Sequence, residues 1–261
     1  MSGVLQFARD GFVAVLTLDR PKALNAFDPE LHVALMDALG EIRDDDSIRS
    51  VVVTGAGRAF CSGVDLTKPF PEPATQSDRM DRLQWFGRQA LALATLDKPT
   101  IAAVNGIAAG MGMSTALQCD LRVGGAKARF RTIFVERCMS PDTGLSWLLP
   151  RVIGYSRAAD LVMTSRDVDA DEAYRLGLLD RLVPDDDPLD AAVELANQIN
   201  RWPPTAIRTA KRVLKHSLTA DFEDALLHES VGLDQALSAK NDAREARRSF
   251  IERRDPNFTG T

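Results

Sequence analysis

The stretch Asn105-Gly106-Ile107-Ala108-Ala109-Gly110-Met111-Gly112-Met113-Ser114 carries most of the information about the fold of this chain. It follows an apolar run, Thr100–Val104, that predicts a buried strand, and it leads into residues 114–117, which predict a helix. A glycine-rich turn between a strand and a helix leaves backbone N–H groups without intrahelical partners, and such groups attract negative charge. The charge could belong to a phosphate, or to an oxyanion that develops during a reaction.

The segments before this stretch predict an α/β core. Residues 12–18, 50–54 and 100–104 have the composition of strands, whereas residues 30–43 and 79–96 have a helical period. Strands that alternate with helices indicate a parallel sheet with crossover helices. The fold class predicted from the sequence is therefore α/β.

Beyond residue 144 the pattern becomes helical. Seven helices are predicted there, over residues 145–153, 157–164, 170–176, 189–200, 205–217, 222–237 and 239–253. We therefore expect an α/β core over residues 1–200 and a helical C-terminal extension over residues 201–261.

Composition excludes several classes of function. The 261 residues carry a net charge of −5, so a nucleic-acid partner is not expected. No apolar run approaches the roughly 18 residues of a membrane span, and no secretory signal is visible, so we expect a cytoplasmic protein without a membrane partner. The three cysteines fit reduced thiols, and the three histidines lie too far apart for the usual zinc-ligand spacing, so no metal is expected.

Phosphate binding is the weaker interpretation of the glycine-rich turn. Gly110 and Gly112 lack the third glycine of a dinucleotide-binding motif, and no Gly-Lys-Ser/Thr sequence follows them. A purely structural turn, in which glycines allow close packing of helix and strand, remains open on these residues alone.

A second loop favours an oxyanion site. Ala59-Phe60-Cys61-Ser62-Gly63-Val64-Asp65-Leu66 also follows a predicted strand and also places a glycine before an apolar residue. Loops that follow neighbouring parallel strands meet at the carboxyl end of the sheet. Each loop could then donate one N–H to the same oxygen, which is the arrangement of an oxyanion hole.

At this point the sequence resembles the crotonase superfamily, also called the enoyl-CoA hydratase/isomerase family. The resemblance covers nearly the whole chain and lies in residues 20–26, 59–66, 98–106, 119–120, 148–151 and 173–179. It implies a crotonase fold of stacked ββα turns with a helical C-terminal part. It also implies an acyl-CoA substrate, no cofactor beyond the coenzyme A of that substrate, and a homotrimer or a dimer of trimers, with residues 201–261 in trimer packing.

The resemblance also implies roles for individual residues. The oxyanion donors would be the N–H groups of Val64 and Met111, which would bind the thioester oxygen. The adenine of coenzyme A would contact Lys22, Ala23 and Leu24, unless this segment is a plain surface turn. The remaining residues that we expect at the substrate are Gly63, Asp65, Leu66, Gly110, Ser114 and Phe134, although Asp65 is more typical of an acid that fixes its own loop.

The chain departs from the hydratases of this family at both acid/base positions. Those enzymes use two glutamates, and the corresponding residues here are Ser114 and Phe134. Neither side chain can replace a carboxylate in moving the protons of a water molecule. Ordinary hydratase activity is therefore not expected.

One acid remains, in Ser140-Pro141-Asp142-Thr143-Gly144. On its own, Asp142 is typical of a helix N-cap or a turn. Several branches of the family carry a working aspartate at this position, and the local match is to the 1,2-epoxyphenylacetyl-CoA isomerase type. The resemblance therefore predicts an acyl-CoA isomerase with Asp142 as acid and base, provided that burial brings its pKa toward the working pH.

Several alternatives stay open at this stage. Glu136 could enter the site after a register shift, although an ion pair with Arg131 or Arg137 is the expected role. Cys138 is expected to be a buried, inert thiol. The chain could be an atypical hydratase, a carbon–halogen or carbon–carbon cleaving relative, or an inactive acyl-CoA-binding homologue. Residues 69–77 and the helix after them are expected to line the acyl pocket.

Overall fold

The structure is a computed structural model that describes residues 3–68, 70, 72–184 and 187–261. Its strands form a six-stranded sheet with the order β1-β2-β3-β5-β7-β9 and a three-stranded sheet with the order β4-β6-β8. The strand bounds are β1 Leu5–Asp10, β2 Val13–Leu18, β3 Ser50–Gly55, β4 Ala59–Cys61, β5 Thr100–Val104, β6 Ile107–Ala109, β7 Leu121–Gly124, β8 Arg129–Arg131 and β9 Arg181–Leu182.

Eleven α-helices lie within the described ranges. Their bounds are α1 Pro29–Asp44, α2 Gln76–Met80, α3 Gln84–Ala94, α4 Met111–Gln118, α5 Leu145–Ile153, α6 Tyr155–Thr164, α7 Ala170–Leu176, α8 Leu189–Asn200, α9 Pro204–Ser217, α10 Phe222–Ser238 and α11 Lys240–Glu252. In the same ranges, no helix is both long enough and apolar enough to cross a bilayer.

The two sheets arise from one repeated unit. Each of β3, β5 and β7 lies in the large sheet and is followed by a short strand, β4, β6 or β8, that lies in the small sheet. Strands β1 and β2 form an antiparallel hairpin, and every other strand pair is parallel. The predicted α/β fold of stacked ββα turns is confirmed.

The central strands β3 and β5 of the large sheet are buried along their whole length, and their sequences are accordingly dominated by apolar residues. Alternate residues enter two hydrophobic clusters, as the period of two in a strand requires. Val51, Val53, Ala102 and Val104 enter the larger cluster, with residues of α1, α4 and α5, whereas Val52, Ile101, Ala103 and Val123 pack with residues of α8. The sheet is therefore the middle layer of the core.

Three features of the sequence-based prediction are wrong. Residues 55–68 and 105–110 are not loops throughout, because they contain β4 and β6, and β1 was not predicted. The single helix expected over residues 79–96 is two helices, α2 and α3. The break has a local cause: the Asp81 carboxylate accepts a hydrogen bond from the Leu83 amide, and Gln84 has a φ of 53°.

The C-terminal helices contact the core through α9. Lys211 forms an ion pair with Asp120 at 2.6 Å, and Arg208 forms one with Asp97 at 2.6 Å. Helix α10 packs along α9 but buries only Gly232. A row of apolar side chains on α10 is consequently exposed.

Candidate active site

The two glycine-bearing loops follow neighbouring strands. Strands β4 and β6 are parallel, with Cys61 opposite Ala108, so the chain leaves both at the same edge of the small sheet. A Cβ atom added to Gly63 would lie 3.7 Å from the Met111 amide nitrogen. The structure thus brings the loops of Val64 and Met111 together, through strands that the sequence did not reveal.

Hydrogen bonds around Val64 leave its own amide unused. The Phe27 amide donates to the Gly63 carbonyl, and the Asp65 amide donates to the Phe27 carbonyl, as in a short parallel bridge. That pattern directs the intervening Val64 N–H away from Phe27. Met111 is the first residue of α4, where an N–H has no intrahelical acceptor. Among the described residues, neither amide has a hydrogen-bond acceptor.

Glycine is required at two positions beside these amides. Gly110 has a φ of 52° and a ψ of −123°, a combination that residues with a Cβ avoid. A Cβ on Gly112 would lie 2.0 Å from the Cys61 carbonyl oxygen. The first turn of α4 therefore rests directly on the end of β4, and the two loops are held in close contact.

Asp142 is not the cap of α5. The N-cap of that helix is Gly144, and no side chain caps it. The Asp142 carboxylate instead accepts a 2.7 Å hydrogen bond from the Thr143 hydroxyl, and its backbone carbonyl lies 3.4 Å from the Ser114 hydroxyl. Burial raises the pKa of Asp142, while the Thr143 hydroxyl opposes this by stabilising the carboxylate.

Ser114 and Phe134 are both buried. The Ser114 hydroxyl is also 3.3 Å from the Gly110 carbonyl, one turn earlier on α4. Phe134 belongs to the larger hydrophobic cluster, directly after Ile133, whose side chain abuts Gly110. Ser114 thus connects the Asp142 segment to the helix that begins at Met111, a connection that sequence spacing did not indicate.

Asp65 has a structural role in its loop. Its carboxylate accepts hydrogen bonds from the Thr67 hydroxyl and amide, and it forms a 2.8 Å ion pair with Arg20. The Thr67 hydroxyl and Arg20 lower its pKa to about 2. Arg20 also pairs with Asp28, which in turn pairs with Lys68. This network was missed, because its paired residues are up to 45 positions apart in sequence.

The segment expected to contact adenine lies against the same loop. Residues Pro21–Ala23 form a 3-10 turn in which Lys22 is exposed. The Ser62 amide donates to the Leu24 carbonyl, and the Ser62 hydroxyl donates to the Ala23 carbonyl. Leu66 projects from the other end of the loop and is exposed.

Two other candidates are resolved by their surroundings. Glu136 is exposed and forms a 2.7 Å ion pair with Arg131. Cys138 is exposed rather than buried, because it ends the 3-10 turn Val135–Arg137, a surface turn that buries none of its residues. Burial applies instead to Cys61 and Cys119, and it raises the pKa of each thiol to about 12.

An aromatic cluster follows the Val64 loop. The rings of Phe70 and Trp85 stack with centroids 3.5 Å apart, and His32 meets Trp85 edge-on. The Oε1 atom of Gln89 accepts a 2.8 Å hydrogen bond from Nδ1 of His32. Of the segment expected to line the acyl pocket, Pro69 and Pro71 lie outside the described residues.

Comparison with known proteins gives consistent matches along the whole chain. Residues 9–261 match the family model described as enoyl-CoA hydratase/isomerase. A 1,2-epoxyphenylacetyl-CoA isomerase of Escherichia coli (strain K12) is 34% identical over 267 residues, covering 100% of this chain and 99% of that protein. A short-chain-enoyl-CoA hydratase of Clostridium acetobutylicum is also 34% identical, over 94% of both proteins.

Solved structures agree with these matches. The crystal structure of an enoyl-CoA hydratase from Bacillus anthracis superposes with a TM-score of 0.91 at 29% identity, covering 99% of this chain and 100% of that one. A probable enoyl-CoA hydratase/isomerase from Mycobacterium abscessus gives a TM-score of 0.87 at 32% identity, with 99% coverage of both chains.

Proposed function

The chain belongs to the enoyl-CoA hydratase/isomerase family, and from this premise we propose that it is an acyl-CoA isomerase whose acid and base is Asp142. The observation that carries the proposal is the position of this half-buried acid. Through Ser114, its backbone is connected to α4, the helix that begins with the unpaired Met111 amide. A carboxyl group and two free amide donors are the functions that enolate chemistry needs.

The reaction we propose moves a double bond without adding water. The Asp142 carboxylate removes a proton from Cα of a 3-enoyl thioester, and the electrons pass to the thioester oxygen as a dienolate. The amides of Val64 and Met111 stabilise that oxyanion. Protonated Asp142 then returns the proton to Cγ, which yields the 2-enoyl thioester and restores the carboxylate.

Two further observations favour isomerisation over hydration. Burial raises the pKa of Asp142, which brings a carboxyl group closer to the pH at which it can both accept and donate a proton. Ser114 and Phe134 stand where the family resemblance expects the two hydratase glutamates, and neither carries a titratable group. The relatives include an isomerase and a hydratase by name, so the preference for isomerisation rests on Asp142, Ser114 and Phe134.

The remaining functional assignments belong to the same proposal. We infer that residues 22–24 and the exposed basic side chains of α11 contact coenzyme A, and that no further cofactor takes part. Exposed apolar side chains on α10 support a role for residues 201–261 in packing against other copies, as a homotrimer or a dimer of trimers.

The deciding experiment offers a 3-enoyl-CoA and a 2-enoyl-CoA separately and resolves the products by chromatography and mass. We expect a product of unchanged mass and new retention time from the 3-enoyl ester. Asp142→Asn should lower that rate by about 10²–10⁴, the range of general acid–base catalysis. Glu136→Gln is the matched control, since Glu136 pairs with Arg131, and it should keep full activity.

Three outcomes would contradict the proposal. Gain of one water by the 2-enoyl ester would identify a hydratase that works without the usual glutamates. Full activity of the Asp142→Asn variant would remove Asp142 from the mechanism. Calorimetric binding of both esters with no turnover of either would identify an acyl-CoA-binding homologue.

A further inference from the structure

We infer that Thr143 and Gln118 are positioning residues, which hold the Asp142 carboxylate in its working orientation against α4. The inference rests on the proposed role of Asp142 and extends it to two side chains to which the family resemblance assigns no role. Three hydrogen bonds and one strained backbone angle support it.

The first observation is the backbone of Thr143. Its φ is 52°, a left-handed conformation that is an outlier for a β-branched residue. The side chain is buried, and its hydroxyl donates to Oδ1 of Asp142 at 2.7 Å. Strain of this kind persists only where surrounding contacts impose it, and it is concentrated at functional sites.

The second observation identifies the contact that imposes it. The Gln118 side-chain amide donates to the Thr143 carbonyl at 2.9 Å, across 25 residues of sequence. Gln118 is buried, and its Oε1 has no hydrogen-bond partner among the described residues. An unpaired buried amide oxygen destabilises a fold, so an apolar side chain would suit this position better if packing alone mattered.

The third observation places both contacts on one element. Ser114 and Gln118 are four residues apart and lie on the same face of α4, and each reaches a backbone carbonyl of the pair Asp142–Thr143. The same helix begins with the Met111 amide. Helix α4 therefore fixes the acid relative to an oxyanion donor, and small errors in such a distance reduce rates strongly.

The electrostatic surroundings of Asp142 are simple. Burial and the Thr143 hydroxyl are the influences on its pKa, and no charged side chain of the described residues is among them. The hydroxyl bond favours the charged carboxylate. Its loss should raise the pKa of Asp142, and it should move the acidic limb of the rate profile to higher pH.

The experiment compares Thr143→Val with Thr143→Ser across a pH profile of kcat on the 3-enoyl ester. Valine keeps the shape of threonine but removes the hydroxyl, and we expect kcat to fall about tenfold with KM unchanged, as for loss of one bond to a charged group. The acidic limb should move to higher pH. Thr143→Ser keeps the hydroxyl and should restore both kcat and the limb.

Two further variants control for the case in which Thr143→Val fails to fold. Thr143→Gly removes the hydroxyl but tolerates the positive φ, so it should fold and show the same displaced limb. Gln118→Leu removes the donor to the Thr143 carbonyl, and it should lower kcat about tenfold. Its Tm should stay close to that of the unmodified chain, because the unpaired Oε1 disappears as well.

The outcomes separate this inference from the proposed function. If Asp142→Asn is inactive while Thr143→Val and Thr143→Gly keep the normal kcat and acidic limb, the positioning role is overturned and the role of Asp142 stands. If Thr143→Ser behaves like Thr143→Val, the hydroxyl is not the cause. If Asp142→Asn is fully active, both proposals fail together.

Discussion

At the scale of single residues, Gly112 couples the fold to the site. A Cβ at this position would lie 2.0 Å from the Cys61 carbonyl oxygen, a backbone atom that cannot rotate away. Gly112→Ala should therefore force α4 off the end of β4 and lower the free energy of unfolding by about 1–3 kcal/mol, as overpacking does. Thermal unfolding followed by circular dichroism measures this.

Gly40 supplies the matched control for that substitution. It lies inside α1, has a normal φ, and a Cβ there would meet no atom within 4 Å. Gly40→Ala should leave the free energy of unfolding unchanged or raise it by about 0.4–1 kcal/mol, and the Tm should not fall. Equal losses from the two variants would contradict the proposed packing of α4 on β4.

Because the pKa of Asp65 is lowered in the folded chain, we expect the free energy of unfolding to depend on pH. Its pKa is about 2 in the folded chain, against 3.8 for an ordinary aspartate, because the Thr67 hydroxyl and Arg20 stabilise the charged form. A lowered pKa contributes stability that is fully present above about pH 4 and is lost as the pH falls through 2. Protonation of Asp65 then weakens the loop that carries Val64.

Asp65→Asn tests this dependence by denaturant unfolding at pH 7 and at pH 2.5. At pH 7 the variant should be less stable by about 1 kcal/mol, after allowance for partial exposure to solvent. The difference in the free energy of unfolding between the variant and the unmodified chain should be smaller at pH 2.5. Asp190→Asn on α8 is a control, and it should shift both curves little. A gap that stays constant with pH would contradict the role of the carboxylate charge.

At the scale of elements, the sequence predicted what local patterns encode. Helices α1, α5, α7 and α8 have strong amphipathic periods, and their bounds agree with prediction to within a residue. Strands β3 and β5 could be predicted from their short, mostly apolar and β-branched or small residues. The short strands β4 and β6 have three residues each, and only their long-range pairing makes them strands.

The residues of the candidate site also fall into two groups, those that sequence motifs reveal and those that only the folded chain reveals. Glycines and the Asp142 motif are visible in the sequence, so the two loops and the acid could be proposed from it. Thr143, Gln118 and Arg20 could not, because each acts through a backbone angle or a partner that only the folded chain supplies. Cys138 is exposed because it ends a surface 3-10 turn that buries none of its residues, and composition does not encode that turn.

The attachment of α9 to the core gives an element-scale prediction. Lys211 keeps only 9% of its side chain exposed and pairs with Asp120 at 2.6 Å, whereas Lys215 pairs with the same carboxylate at 3.2 Å and keeps 39% exposed. Lys211→Met should destabilise the chain by about 2 kcal/mol, below the usual range for a broken buried pair because Lys215 remains. Lys215→Met should change the stability by less than about 1 kcal/mol.

Thermal unfolding of both lysine variants provides the measurement. The burial of Lys211 lowers its pKa, while Asp120 opposes that change. The Asp120 carboxylate and the Lys98 backbone carbonyl, which accepts a 2.7 Å hydrogen bond from Nζ, together stabilise this poorly solvated ammonium group. If both methionine variants lose the same stability, the attachment of α9 does not depend on the buried pair.

At the scale of the whole molecule, the C-terminal helices leave an apolar surface uncovered. Phe222, Leu226, Leu233 and Leu237 recur along α10 at spacings of four, seven and four residues, so they share one face. All four are exposed, and Leu233 retains 61% of its accessible surface. A contiguous apolar face of this kind is typical of an interface between protein chains.

The proposed assembly as a trimer or dimer of trimers makes this face a contact between copies, and it predicts the effect of charging it. Leu226→Glu with Leu233→Glu should convert the oligomer to monomers, because two carboxylates would be desolvated at the contact. Light scattering after size-exclusion chromatography measures the mass, and circular dichroism should show unchanged helix content, since both side chains already face solvent in the single chain. Met163→Glu, at another exposed apolar residue on α6, is the control and should leave the mass unchanged. A monomeric unmodified chain would contradict the assembly itself, whereas an intact oligomer in the double variant would show that the copies meet through another surface.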